Sequence, residues 1–172
     1  MIQKTRLHNF DVSFRNTEEF RTLKREVFGQ DTYAFDYEQP EDQDGLPSPR
    51  IVDIGAHIGL TTLYWKYQFP EAHILAVEPH PLAFSMLERN IEQNRLLDVQ
   101  AVNAAVHTGD SPVQLVTDAD PVEQTQWLSN TSVHRGTWQG DQPTFTRQIT
   151  VPGISLDTLL EDETHVDMLK VD

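Results

Sequence analysis

Ile51-Val52-Asp53-Ile54-Gly55-Ala56-His57-Ile58-Gly59-Leu60 decides how the chain folds. The run begins apolar, passes through one acid and two glycines, and goes over into helical spacing. Leu60, Leu63, Tyr64 and Tyr67 then share one helical face, and Pro70 stops the helix. A buried parallel strand, a tight turn and a helix N-terminus read this way. Gly55 and Gly59 carry no Cβ, so the backbone can turn sharply and approach a ligand closely. A helix that begins near Thr61 aims its free N–H groups and positive dipole end at the turn. Asp53, at the carboxyl end of the strand, faces the crevice where ligands of open α/β sheets bind.

Downstream, residues 73–78 predict a second strand, and Pro81 suits the first position of a helix. Phe84, Leu87 and Ile91 supply the buried stripe of that helix, which ends near Asn94; residues 99–106 make a third strand. The order is βαβαβ, and right-handed crossovers place strand two beside strand one and strand three outside it. The pattern then changes. Residues 112–117 and 145–151 alternate with period two around a polar stretch carrying Trp127 and Trp138, which predicts an antiparallel β-insertion. Ser155 can cap a short helix over 156–161, and 166–172 predicts a fourth parallel strand.

Upstream, residues 38–50 read as an acidic surface loop, and Tyr33, Phe35 and Tyr37 as an edge strand, a flap over the site or ordinary packing. Asn16 suits a helix N-cap with Glu18 and Glu19 in the first turn, Phe20, Leu23 and Val27 form its stripe, and Gly29 closes it. Residues 1–15 predict one or two short strands. The expected fold is α/β with a Rossmann-like sheet, split into an N-terminal extension, 1–50, and a ligand-binding core, 51–172.

Bulk properties narrow the function. Against 27 Asp and Glu stand 13 Lys and Arg, a formal charge of −14, which disfavours a phosphate backbone as partner. Arg21, Lys24 and Arg25 form only a small basic cluster, so no nucleic-acid partner is expected. The absence of cysteine excludes disulfides and thiolate metal sites and fits a reducing, cytoplasmic setting. No apolar run approaches the roughly 20 residues of a membrane span. The seven histidines lack ligand spacing, and no metal site is expected.

A dinucleotide fingerprint would need glycine at 55, 57 and 60, where His57 and Leu60 break it. The observed Asp-x-Gly-x-x-x-Gly, followed by Glu78 in Ala76-Val77-Glu78-Pro79, resembles the first motif of class I S-adenosylmethionine-dependent methyltransferases. Together with Asn90 and Asn94, Asn103-Ala104-Ala105-Val106, Ile154-Ser155-Leu156-Asp157-Thr158-Leu159-Leu160 and Leu169-Lys170-Val171-Asp172, the ordered series resembles the FkbM family from about residue 27 onward.

The resemblance implies O-methylation of a hydroxyl on a sugar or other small metabolite, with S-adenosylmethionine as cofactor. Gly55, Ala56, His57 and Gly59 would contribute backbone contacts, Asp53 would meet the methionine amino group, and Glu78, followed by Pro79, the ribose. A carboxylate suits that last task because it accepts two O–H donors at once. Asn103 would border the adenine, and Asp172 would sit across the cleft from Asp53. Many relatives carry Asn at 57, a change that a backbone-built turn tolerates. Each residue keeps a second reading. Asp53 caps the turn, Glu78 pairs with Arg89 or Lys66, Asn103 and Asp172 are structural, and Trp127 and Trp138 either line an acceptor pocket or pack the insertion. Asp172, Lys170 and His134 are the candidate bases.

The family continues past the last strand with Glu-Gly, whereas here the series stops at Asp172. That predicts a fragment of a longer protein, or a homodimer formed through the open edge. Two rival functions stand beside the methyltransferase: an NAD-dependent oxidoreductase, which needs the missing third glycine, and a non-catalytic cofactor-binding or interaction module.

Overall fold

Leu7, Phe10, Val12 and Phe14 bury one side of a hairpin, β1 (Gln3–Leu7) and β2 (Phe10–Phe14), in the computed structural model. The described residues are 1–30, 32–40, 45–117, 131–132 and 147–172. Asn16 caps α1 (Thr17–Lys24) by accepting the N–H groups of Glu18 and Glu19. The helix runs on into a π-helical turn, Arg25–Gly29, which buries Val27. The aromatic stretch after it forms no strand. Phe35 and Tyr37 pack on Phe69, and Tyr33 on Trp65, so ordinary packing wins over the edge-strand alternative.

The central sheet is built from β3 (Arg50–Ile54), β4 (His73–Val77), β5 (Val99–Val102) and a last strand, Met168–Val171. That last strand pairs with β3, β3 with β4 and β4 with β5, all parallel, as the crossover rule requires. Two helices link them, α2 (Leu60–Gln68) and α3 (Pro81–Gln93). Ile51, Ile74 and Ala76 face these helices, sharing one core with the hairpin and with Phe20 and Val27 of the extension. Val52, Leu75 and Val77 face the other way, toward Leu159.

Three expectations need correction. α2 is buried on every side from Leu60 to Lys66, while Tyr67 stands exposed, because hairpin and sheet enclose the helix between them. The buried row of α3 is Ala83, Met86, Leu87 and Asn90; Phe84 and Ile91 are only partly covered. The third strand breaks after Val102. Asn103 donates Nδ2 to the carbonyls of Glu78 and Pro79, and β6 (Ala105–His107) turns away from the central sheet.

The insertion is antiparallel, with β7 (Val113–Thr117) between β8 (Thr131–Ser132) and β9 (Arg147–Val151). β10 (Gly153–Ser155) then pairs in parallel with β6. A side chain at Gly153 would overlap the Ser111 carbonyl, so the close pairing requires glycine. Ser155 caps α4 (Leu156–Leu159), and the last strand is β11 (Met168–Val171). Trp127, His134 and Trp138 lie outside the described residues. Among the described residues no helix is long and apolar enough to cross a membrane.

Candidate functional site

The carboxyl ends of β3, β4 and β11 meet at the turn 55–59. Gly55 and Gly59 both sit at φ +85°, and His57 between them at +53°, in the left-handed region that His and Asn tolerate better than most side chains. That explains on backbone grounds why Asn suits position 57. A Cβ on Gly59 would lie 2.7 Å from Leu87 Cδ1, so this glycine sets the approach of α2 to α3. A Cβ on Gly55 would lie 3.2 Å from both the Cβ and the carbonyl oxygen of Asp172. Here the glycine lets the turn close onto the end of β11.

The turn spends its donors internally. The N–H groups of Gly55 and Ala56 both reach the Val77 carbonyl, at 2.9 and 3.0 Å, and Gly59 N–H reaches that of Ala56 at 2.8 Å. His57 N–H donates to Glu78 Oε2 at 2.8 Å. The loop is therefore bolted to β4 by the groups that a phosphate-binding loop would present outward.

Asp53 is fully buried, and each of its oxygens has a protein partner. Lys170 Nζ donates to Oδ1 at 2.8 Å and Thr61 Oγ1 to Oδ2. The ammonium completes its three donations on the Gly55 carbonyl at 2.8 Å and Asp172 Oδ2 at 2.9 Å. Burial pulls the Lys170 pKa down, but Asp53 and Asp172 outweigh it and leave it raised, so the group stays charged. Burial pushes Asp53 up, against the pull of Lys170 and Thr61. A permanently charged ammonium with three acceptors is a poor base, which removes Lys170 from the candidates.

Asp172 is different, for its side chain is 57% exposed. Tyr33 Oη donates to its Oδ2 at 3.2 Å, and the Tyr33 ring lies over Lys170, 5.5 Å from Nζ to centroid. Burial first and Asp172 second push the Tyr33 hydroxyl up to about 12, so it remains a donor. A narrow pocket opens here between the turn, Lys170, Asp172 and four residues of the extension, Leu23, Glu26, Val27 and Tyr33.

Glu78 is buried and accepts His57 N–H on one oxygen and His80 N–H, at 2.7 Å, on the other. Burial raises its pKa against His57 and those two amides. Lys66 is committed to the carbonyls of Pro70 and Ala72, so the alternative pairing of Glu78 with Lys66 does not form. Asn103 braces the backbone of Glu78 and Pro79. The His57 ring lies beside buried Glu19, with Nε2 3.2 Å from Oε1 but without hydrogen-bond alignment. Glu19 had registered in the sequence only as a favourable charge at a helix start; nothing in the spacing marks it as buried beside the turn.

A second cleft lies at the opposite, amino ends of β3, β4 and β5, among Arg50, His73, Asp98, Gln100 and Glu163. Its Arg50–Glu163 pair, at 2.9 Å, is self-satisfied, and parallel sheets bind ligands at the other end.

The family model described as the methyltransferase FkbM domain matches residues 53–172. Methyltransferase sdnD of Sordaria araneosa is 38% identical over 98 residues, 56% of this chain and 34% of that protein. Methyltransferase 1 of Beauveria bassiana (strain ARSEF 2860) is 42% identical over 65 residues, 38% of this chain and 26% of that protein. The matches thus span about a third or less of the length of these curated relatives. The crystal structure of M. jannaschii TYW2 in complex with AdoMet aligns with a TM-score of 0.43 and 19% identity, over 63% of this chain and 47% of that one.

Proposed function

The chain belongs to the FkbM methyltransferase domain family, and on that premise we propose that it binds S-adenosylmethionine at the turn 55–59 and methylates a hydroxyl oxygen of a small acceptor, a sugar or secondary metabolite. The observation that carries the reading is a pair of carboxylates set against one left-handed glycine turn. Asp172 abuts Gly55, and Glu78 is bonded to His57 N–H.

The residues fit the cofactor. Asp172, exposed and abutting Gly55, suits the ammonium of the methionine part. Both Asp53 oxygens are already taken by Lys170 and Thr61, so Asp53 serves that end indirectly, by holding Lys170 in place. Each Glu78 oxygen carries one backbone donor and keeps a further lone pair for a ribose hydroxyl. Asn103 keeps the Glu78-Pro79 backbone in place beside the adenosine. Bound there, the cofactor supplies an activated methyl group on a sulfonium leaving group, and the protein's share is to position, orient and exclude water.

Calorimetric titration with S-adenosylhomocysteine, with NAD as control, tests the reading. Saturable binding of the first alone is expected, weakened roughly tenfold or more by Glu78→Ala, as loss of a charged hydrogen-bond acceptor implies. A folded sample that binds neither ligand, or NAD alone, overturns it.

A further inference from the structure

Tyr33 lies outside the residues that match the family domain, yet it touches two charged groups of the site, Asp172 and Lys170. Its backbone is fixed from within the domain, since Trp65 Nε1 donates to the Tyr33 carbonyl at 3.0 Å. The Tyr33 and Trp65 rings meet edge-on with centroids 6.3 Å apart, and Trp65 is completely buried. The Tyr33 backbone and ring are thus tied to a buried residue of α2. Asp172, by contrast, is mostly exposed, and an exposed carboxylate samples several rotamers unless something holds it. Two donors hold it here. Lys170 Nζ and Tyr33 Oη both bond to Oδ2, and Oδ1 has no protein partner among the described residues.

We propose that Tyr33 is a positioning residue that fixes Asp172 with Oδ1 free for the cationic amino group of the cofactor's amino-acid end. The inference rests on the cofactor reading above. The extension therefore contributes to cofactor affinity and not only to the core. Tyr33 acts on one end of the ligand: its partners are Asp172 and Lys170, whereas the adenosine end falls to Glu78 and Asn103.

The two ends can be separated with two ligands. S-adenosylhomocysteine carries the amino-acid part, and 5′-methylthioadenosine keeps the adenosine and thioether but lacks it. Affinities of the unchanged chain and of Tyr33→Phe are measured for both by calorimetry, with the thermal midpoint of the free proteins as a fold control. Loss of a hydrogen bond to a charged acceptor should weaken S-adenosylhomocysteine roughly fivefold, and 5′-methylthioadenosine less than about twofold. Tyr33→Leu, which also removes the ring from above Lys170, should widen the difference. An equal loss for both ligands, or no loss for either, overturns the proposal and leaves the cofactor reading standing. An unchanged chain that binds neither ligand overturns both.

Discussion

His80 caps α3 through Nδ1, which accepts the Leu82 N–H at 3.2 Å, while its own N–H is bound by Glu78. Burial first, then the neighbouring His57 and Arg15, lower its pKa from 6.5 to about 4. Between those values the unfolded chain binds a proton that the native one refuses, so stability rises with pH across the window and is lost as pH falls from 6.5 toward 4. Allowing for partial solvent screening, the loss should be about 2 kcal/mol. Asn is an equally good cap and does not titrate. His80→Asn should therefore flatten the pH dependence of the urea-unfolding free energy over that range; an unaltered slope would acquit His80. At this scale the sequence was only half legible. Asp53 and Glu78 stood out as acids ending strands, and both do lie at the turn. That Lys170 takes Asp53 from 117 residues away, and that Glu78 binds the backbone on either side of it, could not be read from spacing, because tertiary closure makes those pairs.

Among the elements, the glycine turn translates most directly from sequence. Gly59 was read as a place where the backbone bends. The structure adds that it is also where Leu87 of α3 comes closest. Gly59→Ala should cost about 2 kcal/mol, from a left-handed residue made to carry a Cβ and from the clash with Leu87. Combining it with Leu87→Ala should cost less than the sum of the two single changes, measured as a double-mutant cycle in urea. The third strand shows the opposite case. Its apolar run continues through Ala104 and Val106, and nothing in that run shows that Asn103 will turn aside to hold the Glu78-Pro79 backbone. A hydrogen-bonding commitment, invisible to hydropathy, overrides the pattern there. The same applies to α2, whose neighbours on every side come from distant segments.

For the whole molecule, the extension and the family domain share one core, and buried Asn90 is one of the side chains that fasten them. Asn90 of α3 accepts the Ser13 N–H at 2.7 Å and donates Nδ2 to the carbonyls of Ser13 and of Ile58, at 3.1 and 2.8 Å. It thereby joins the β1–β2 hairpin to the turn of the site. Asn94, one helical turn later, ties α3 to Asp11 in the same hairpin. The sequence showed Asn90 only as a member of a family series, and Asn94 in addition as the end of α3. Asn90→Ala would leave buried donors and acceptors unpaired and should cost about 3 kcal/mol. In hydrogen exchange, the amides of β1 and β2 should lose protection well before those of β3 and β4; simultaneous loss would mean that the hairpin is held chiefly by its apolar face.

The inward-turned amides of the loop 55–59 carry a consequence for the company this pocket keeps. Nucleotides are the commonest adenine-bearing molecules in any cell, and they arrive with phosphoryl groups in search of outward N–H bonds and positive charge. Here the bonds of Gly55, Ala56, His57 and Gly59 are spent on Val77, Glu78 and the turn itself, the ammonium of Lys170 is answered by Asp53 and Asp172, and Asp53 lies at the positive end of α2. Phosphorylated adenine compounds should therefore bind this pocket poorly by electrostatics alone, an expectation that titration with ATP checks.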